Sequence, residues 1–162
     1  MTSASKYLAT YLNDHLAGAT AGLALARRAA SENEGSELGD FLSELADEIA
    51  ADRETLKEIM AALGVRADPV KVLAARVFER VGRLKPNAQL RGYSPLSPLV
   101  ELEGLRLGIQ GKLGMWRALG EIADTPPLGP ERLAELAARA ERQAADVEAR
   151  RLEVARSALA PR

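Results

Sequence analysis

The sequence YLNDHLA at residues 11–17 lies inside a long helical pattern and contains His15, the chain's only histidine. Around it, apolar residues recur at steps of three and four, which is the spacing of one face of an α-helix. These residues are Leu8, Leu12, Leu16, Ala19, Leu23 and Ala26. The pattern predicts a helix over about residues 4–30 and places His15 beside its apolar stripe. A polar side chain at that position is a candidate for an interior site.

Four more helices are predicted along the chain, over about 36–63, 69–85, 98–121 and 130–160. Ser36 suits the N-cap of the second helix, Gly64 its end, and Ser97 the N-cap of the fourth. Pro130 suits the first turn of the last helix. The chain is rich in Ala, Leu, Glu and Arg and has few aromatic residues. This composition favours an all-α protein.

The lengths of the connectors predict the architecture. Short connectors near residues 33 and 127 make two antiparallel helix pairs, whereas about 35 residues separate the pairs and include the short helix 69–85. We therefore expect a single domain over 1–162, a four-helix bundle of two up-down hairpins with a long crossover. Glycines repeat at Gly104, Gly108 and Gly111, and we expect this small face to approach the face of Gly18 and Gly22 closely.

This pattern resembles the ferritin-like superfamily, in which two antiparallel helix pairs with a long crossover carry inward polar residues. The resemblance implies a carboxylate on each of two helices and a Glu-x-x-His on each of the other two. Here the residue three after Glu48 is Ala51, and Gln143 is followed at the same step by Asp146. With one histidine in the chain, the two-histidine pattern is not met. The resemblance therefore points to a degenerate member without the di-iron ligand set.

Two polar pairs are predicted inside the bundle. Asp52 occupies a core-facing position in the apolar series of the second helix, with Glu48 one turn earlier on its edge. A hairpin turn near residue 33 sets His15 opposite Asp52, so a hydrogen bond between them is expected. The second hairpin sets Glu103 opposite Arg151 by the same reasoning. Buried polar groups need partners, so both pairs have a structural explanation.

A metal site is the functional alternative for the same region. His15, Asp52 and Glu48, with Glu103 or Glu101, would provide imidazole and carboxylate ligands for one iron, manganese or zinc ion. We rank the structural explanation higher because the ligand set has only one histidine.

Residues 66–91 contain seven basic and two acidic side chains. Arg76, Arg80 and Arg83 lie on one face of the predicted helix 69–85, which could bind an anionic surface. The segment has no interleaved aromatic residues for stacking on bases, which argues against nucleic acid as a partner.

The remaining sequence features exclude several kinds of chemistry. Without cysteine the chain has no disulfide and no thiolate chemistry. We find no phosphate loop, dinucleotide motif, nucleophile elbow, leader or bilayer-spanning segment, and we expect a cytoplasmic protein. The sequence favours a non-catalytic interaction or assembly module of degenerate ferritin-like type, acting as a homodimer or with an unknown protein partner. The alternatives are a redox or oxygen-handling metal protein and a protein that binds anionic surfaces.

Overall fold

Four α-helices contain most of the residues that the computed structural model describes, which are 3–69, 93–123 and 128–160. The helices are α1 (Ser3–Glu32), α2 (Glu37–Ala62), α3 (Ser97–Gly120) and α4 (Pro130–Leu159). No strand occurs within these described ranges. The predicted all-α four-helix bundle is therefore confirmed, and each of these helices begins and ends within two residues of its predicted bounds. The predicted helix 69–85 lies almost entirely outside the described residues.

Local chemistry explains where α2 begins and ends. The Ser36 side chain accepts a hydrogen bond from the backbone N–H of Gly39, at 3.1 Å, and so caps the helix as predicted. After α2 the chain turns at Gly64, whose φ of +69° is readily adopted only by glycine.

The start of α3 differs from the prediction. Ser97 is the first residue of the helix, and Leu96 is its N-cap. The Ser97 hydroxyl instead accepts from the backbone N–H of Ser94 at 3.0 Å, which closes a small turn before the helix. The hydroxyl is therefore engaged outside the helix, and the predicted cap was wrong by one position.

The hydrophobic core runs between all four helices. In the four described helices, nearly every apolar residue that defines a predicted stripe is buried or packs against the core. The largest fully buried side chains are Trp116, Leu12, Leu16, Leu42, Leu56, Met60, Leu102, Leu105, Met115, Leu119 and Val147. Their burial is the main favourable contribution to the stability of the fold.

Contacts between the two hairpins show how the helices run. Arg28, near the end of α1, binds Glu101 near the start of α3, so these two helices are antiparallel. Arg132 near the start of α4 contacts Glu58 near the end of α2, which makes that pair antiparallel as well. Each helix is therefore antiparallel to both of its neighbours, and α2 and α3 lie parallel on a diagonal. The end of α2 and the start of α3 therefore lie at opposite ends of the bundle, about 36 Å apart for a helix of α3's length.

The register of α1 against α2 differs from the prediction. The Nε of Arg53 donates to the Thr20 hydroxyl at 3.0 Å, whereas the predicted register placed Asp47 opposite Thr20. Farther along, Asn13 donates to the carbonyl of Arg66 at 3.1 Å and accepts from the backbone N–H of Asp68 at 2.6 Å. These contacts are offset from those of a hairpin that folds back symmetrically about residue 33.

None of the described helices is both long and apolar enough to cross a membrane.

Candidate functional site: a glycine-lined cleft

A cleft of about 210 Å³ opens between α1, α2 and α3, and we call it the glycine-lined cleft. Five glycines contribute to its wall, together with apolar side chains and a few polar ones. The glycines are Gly18, Gly22, Gly104, Gly108 and Gly111. The apolar lining residues are Ala19, Ile49, Leu56, Leu105, Ile109, Met115 and Trp116. The polar lining residues are Asp14, His15, Asp52, Arg53 and Lys112.

The cleft exists because most of these glycines do not meet a neighbour. A Cβ added at Gly104 would lie 3.2 Å from a methyl carbon of Leu25, so the two helices do approach closely there. At Gly18, Gly22, Gly108 and Gly111 an added Cβ would have no other atom within 4 Å. The predicted close approach of two small faces is therefore correct at Gly104 and wrong at the other four positions, of which Gly18, Gly108 and Gly111 are exposed to solvent.

Trp116 has a buried donor beside the cleft. The side chain is 1% exposed, and its indole nitrogen is buried without an acceptor among the described residues. A buried N–H without an acceptor costs about 1–3 kcal/mol, so most such groups in folded proteins are paired. Trp116 is also the chain's only tryptophan. Because its nitrogen has almost no accessible surface, this donor does not open onto the cleft.

His15 lies half-buried in the same wall. Its ring packs edge-on against Tyr11, with ring centroids 4.6 Å apart. Burial lowers the pKa of His15 below its usual value, and the charge of Asp14 partly opposes this effect. The neutral imidazole has one N–H donor and one acceptor nitrogen. His15 can therefore offer either kind of hydrogen bond at neutral pH.

Asp52 binds two cations from the other hairpin. It is 3% exposed, its Oδ2 is 2.5 Å from the Lys112 ammonium, and its Oδ1 accepts from Arg139. Lys112 also donates to Gln143 at 2.5 Å, and the Gln143 amide donates to Glu48 at 2.6 Å. Burial lowers the pKa of Lys112, an effect that the negative charge of Asp52 opposes. We call these five residues the Asp52 network; it joins α2, α3 and α4.

The predicted hydrogen bond between His15 and Asp52 does not form. Both side chains line the cleft, as the sequence suggested, but the carboxylate oxygens of Asp52 bind Lys112 and Arg139 instead. The cause is the shifted register of α1 against α2, together with the length of the lysine and arginine side chains. Lys112 reaches Asp52 across the diagonal of the bundle, a contact that pairing within a hairpin does not reveal.

The other predicted site residues lie apart from the cleft. Glu101 is 8% exposed and accepts hydrogen bonds from Arg28 and from the Tyr93 hydroxyl, at 3.0 and 2.6 Å. Glu103 lies 3.5 Å from Arg151, where the second register predicts the contact, but Glu103 is half exposed, so the pair is not buried. Arg76, Arg80 and Arg83 lie outside the described residues.

Of the five predicted metal ligands, His15 and Asp52 therefore line the cleft, and Glu48 lies outside the cleft wall but in the Asp52 network; Glu101 and Glu103 lie elsewhere. Within the described part of the chain, no three histidine or acidic side chains are close enough to hold one metal ion. Metal binding stays a prediction, to be tested by elemental analysis.

Sequence reasoning missed Lys112, Arg139 and Trp116 as site residues. One signal was present, because Lys112 follows Ile109 by three residues and so lies beside the apolar stripe of α3. Gln143 likewise falls between the buried residues Ala140 and Val147 at helical spacing. The pairing of these residues depends on how the two hairpins pack, which no local pattern contains.

The arrangement can bind a small molecule by enclosing its apolar part and donating hydrogen bonds to its polar part. Comparisons with protein-family models, with curated proteins and with solved structures found no match.

Proposed function

We propose that this protein is a non-catalytic helical-bundle binding module of ferritin-like type, and that its glycine-lined cleft binds a small molecule. The proposal keeps the interaction role predicted from the sequence and assigns the binding element to the interior of the bundle.

One observation supports the proposal: four helical glycines leave the cleft open. Glycine inside a helix costs about 0.5–1 kcal/mol relative to alanine. At Gly104 close packing against Leu25 offsets this cost, but at Gly18, Gly22, Gly108 and Gly111 no packing contact does. A bound molecule would fill the space.

The ionic groups near the cleft support a binding role over an acid–base role. Asp52 is held between Lys112 and Arg139, and Arg53 binds Thr20 and Glu54. Groups held in such pairs contribute to structure and have no free partner with which to exchange a proton. Burial lowers the pKa of His15 below its usual value, and His15 has no carboxylate or nucleophile bonded to it among the described residues.

The relationship to ferritin-like proteins is part of the proposal. Its support is the order of the helices, in which α2 and α3 run parallel, so that the end of α2 and the start of α3 lie at opposite ends of the bundle. The Asp52 network lies at mid-helix, where the di-iron proteins of that superfamily carry their ligands. Here a lysine and an arginine contact the carboxylate, so cations from the chain itself neutralise it.

The test is a thermal-denaturation screen of small neutral and charged compounds against three forms of the protein. Gly108→Leu fills the cleft, whereas Gly114→Leu places the same side chain at an exposed glycine of the same helix that does not line it. We expect some compounds to raise the melting temperature of the wild type and of Gly114→Leu but not of Gly108→Leu. A ligand present at ten times its Kd raises the free energy of unfolding by about 1.4 kcal/mol. This corresponds to an increase of a few degrees in the melting temperature.

Circular dichroism should show that both variants keep the helical content of the wild type. If no compound gives a shift that depends on Gly108, the cleft is not a ligand site and the proposal is wrong.

A metal protein is the second candidate, because His15 and Asp52 line the same cleft. Elemental analysis of protein purified without chelator from medium supplied with iron, manganese and zinc tests it. About one metal per chain, lost in His15→Ala, would favour this candidate. Homodimerisation is a separate prediction, which sedimentation analysis addresses.

A further inference from the structure

We propose that one face of α1 binds the chain's own segment 70–92, which lies outside the described residues. The face consists of Ala17, Ala21 and Ala24, and we call it the alanine face. These residues follow one another at steps of four and three, so they lie on one side of the helix. None of them lines the glycine-lined cleft, so this proposal is independent of the proposed function.

The alanine face is a side of α1 that the core does not use. Its three residues belong neither to the hydrophobic core nor to the cleft wall, and they are partly exposed. The described helices that contact α1 are α2 and α3. Residues 16–26 contain no charged side chain in any direction. Because a helix that is apolar all round is normally buried, we expect a further element to cover this face.

Both ends of segment 70–92 are attached to α1. Before the segment, the Asn13 side chain accepts a hydrogen bond from the backbone N–H of Asp68 at 2.6 Å. Asn13 precedes Ala17 by one helical turn, on the same side of α1. After the segment, the Tyr93 hydroxyl accepts a hydrogen bond at 2.8 Å from the side chain of Asn33, which directly follows α1. The chain therefore leaves the described residues near one end of α1 and returns to them at the other.

The length of the segment suits a path along α1. Asn13 and Asn33 are 20 residues apart, which is about 30 Å along a helix. The helix 69–85 predicted from the sequence would be about 25 Å long. Residues 86–92, which begin with a proline, are sufficient to span the remainder.

The two surfaces are complementary in size. The apolar side of the predicted helix consists of Val, Leu and Phe residues, whereas the alanine face presents only methyl groups. Since Asp68 lies beside Asn13, a helix running parallel to α1 sets Leu73 near Ala17 and Val77 near Ala21. Large side chains packed on small ones fill the space between two helices. The basic side of the predicted helix would then face solvent, as binding to an anionic surface requires.

The experiment uses pairs of introduced cysteines, because the chain has no cysteine of its own. Ala21→Cys is combined in turn with Leu73→Cys, Val77→Cys and Val81→Cys. The matched control combines Val77→Cys with Ala145→Cys, at an exposed alanine near the middle of α4. Each variant is oxidised mildly, and disulfide formation is followed by non-reducing electrophoresis and by mass spectrometry of the digested protein. Circular dichroism before oxidation shows whether each variant keeps the helical content of the wild type.

We expect the pair Ala21→Cys with Val77→Cys to form a disulfide within one chain about tenfold faster than the control pair. A docked segment holds these two thiols at high effective concentration and at a distance that a disulfide can bridge. If no pair with Ala21→Cys reacts faster than the control pair, the segment does not bind the alanine face and the proposal is wrong. Fast formation of a disulfide between two chains would show that the face binds a second copy, which also overturns the proposal.

A second measurement does not depend on the choice of cysteine pair. Ala21→Glu places a charge on the alanine face, and burial of that charge against an apolar segment is unfavourable. We therefore expect amide hydrogen exchange of residues 70–84 to be several times faster in Ala21→Glu than in the wild type, and unchanged in Ala145→Glu. The same exchange rates in the two variants would overturn the proposal.

Discussion

The interface between α1 and α3 has a closed end and an open middle, although glycines occur in both. At the closed end, Leu25 fills the space beside Gly104, and Glu101 binds Arg28 and Tyr93. In the middle, Gly18 and Gly108 have no neighbour within 4 Å of an added Cβ.

The difference lies in the residue opposite each glycine. A leucine on the facing helix fills the space beside a glycine, whereas a glycine or alanine there leaves a cleft. The same residue type therefore has opposite effects on the two parts of one interface. A glycine repeat predicts an approach between backbones only if the facing side chains are large enough to occupy the remaining space.

We expect the largest change in the free energy of unfolding when Asp52, beside the open middle, is replaced. Asp52→Ala leaves Lys112 buried without its counter-ion and removes the partner of Arg139. Breaking a buried ion pair from one side costs about 3–5 kcal/mol, and we expect about 3 because the Arg139 side chain is 33% exposed. Urea denaturation measures the change.

The matched control for that variant is Glu54→Ala. Glu54 also has two cationic partners, Arg53 and Lys57, but it is largely exposed. Its loss should change the free energy of unfolding by less than about 1 kcal/mol. Equal losses in the two variants would show that burial of Asp52 adds nothing to the strength of its contacts.

A smaller effect should separate the two kinds of glycine. Gly108→Ala should raise the free energy of unfolding by about 0.5–1 kcal/mol, because alanine is the better helix former and the new methyl group has space. Gly104→Ala should give no gain or a loss, because its Cβ would lie 3.2 Å from Leu25. Thermal denaturation of the two variants measures the difference. The same gain at both positions would mean that the closed end is not closely packed.

The smallest effect concerns His15 and pH. Its pKa in the fold lies below its usual value of 6.5, so the unfolded chain binds the proton more tightly. The contribution of His15 to stability is therefore complete above about pH 6.5 and declines as the pH falls below it. Asp14, Asp52, Arg53 and Lys112 line the same cleft and set the local field.

The free energy of unfolding of the wild type minus that of His15→Gln should therefore decrease from pH 7.5 to pH 5. Chemical denaturation at several pH values provides this difference. A difference that grows on acidification would show that the folded protein stabilises the imidazolium.

The helices could be predicted from the sequence because the patterns that specify them are local. Repeats of three and four residues, the Ser36 cap and the turn at Gly64 depend on neighbours within one or two turns, and the structure agrees with each of them. The burial of Asp52 followed from its place in an apolar stripe. These features require no knowledge of the other hairpin.

The site could be predicted only in part because its contacts join residues that are far apart in the sequence. The register within the first hairpin separates His15 from Asp52, and the partners that replace it, Lys112 and Arg139, come from the second hairpin. The cleft depends on the distance between α1 and α3. A sequence shows that Gly108 has no side chain, but whether a neighbour fills its place is decided by the packing of both helices.

The antiparallel order of all neighbouring helices also determines the electrostatic field of the backbone. Each helix carries a partial positive charge at its amino end and a partial negative charge at its carboxyl end. One end of the bundle contains the amino ends of α2 and α3 with the carboxyl ends of α1 and α4, and the other end has the reverse set. The four macrodipoles thus oppose one another in pairs along the bundle axis, so the backbone of these helices gives the bundle little net dipole.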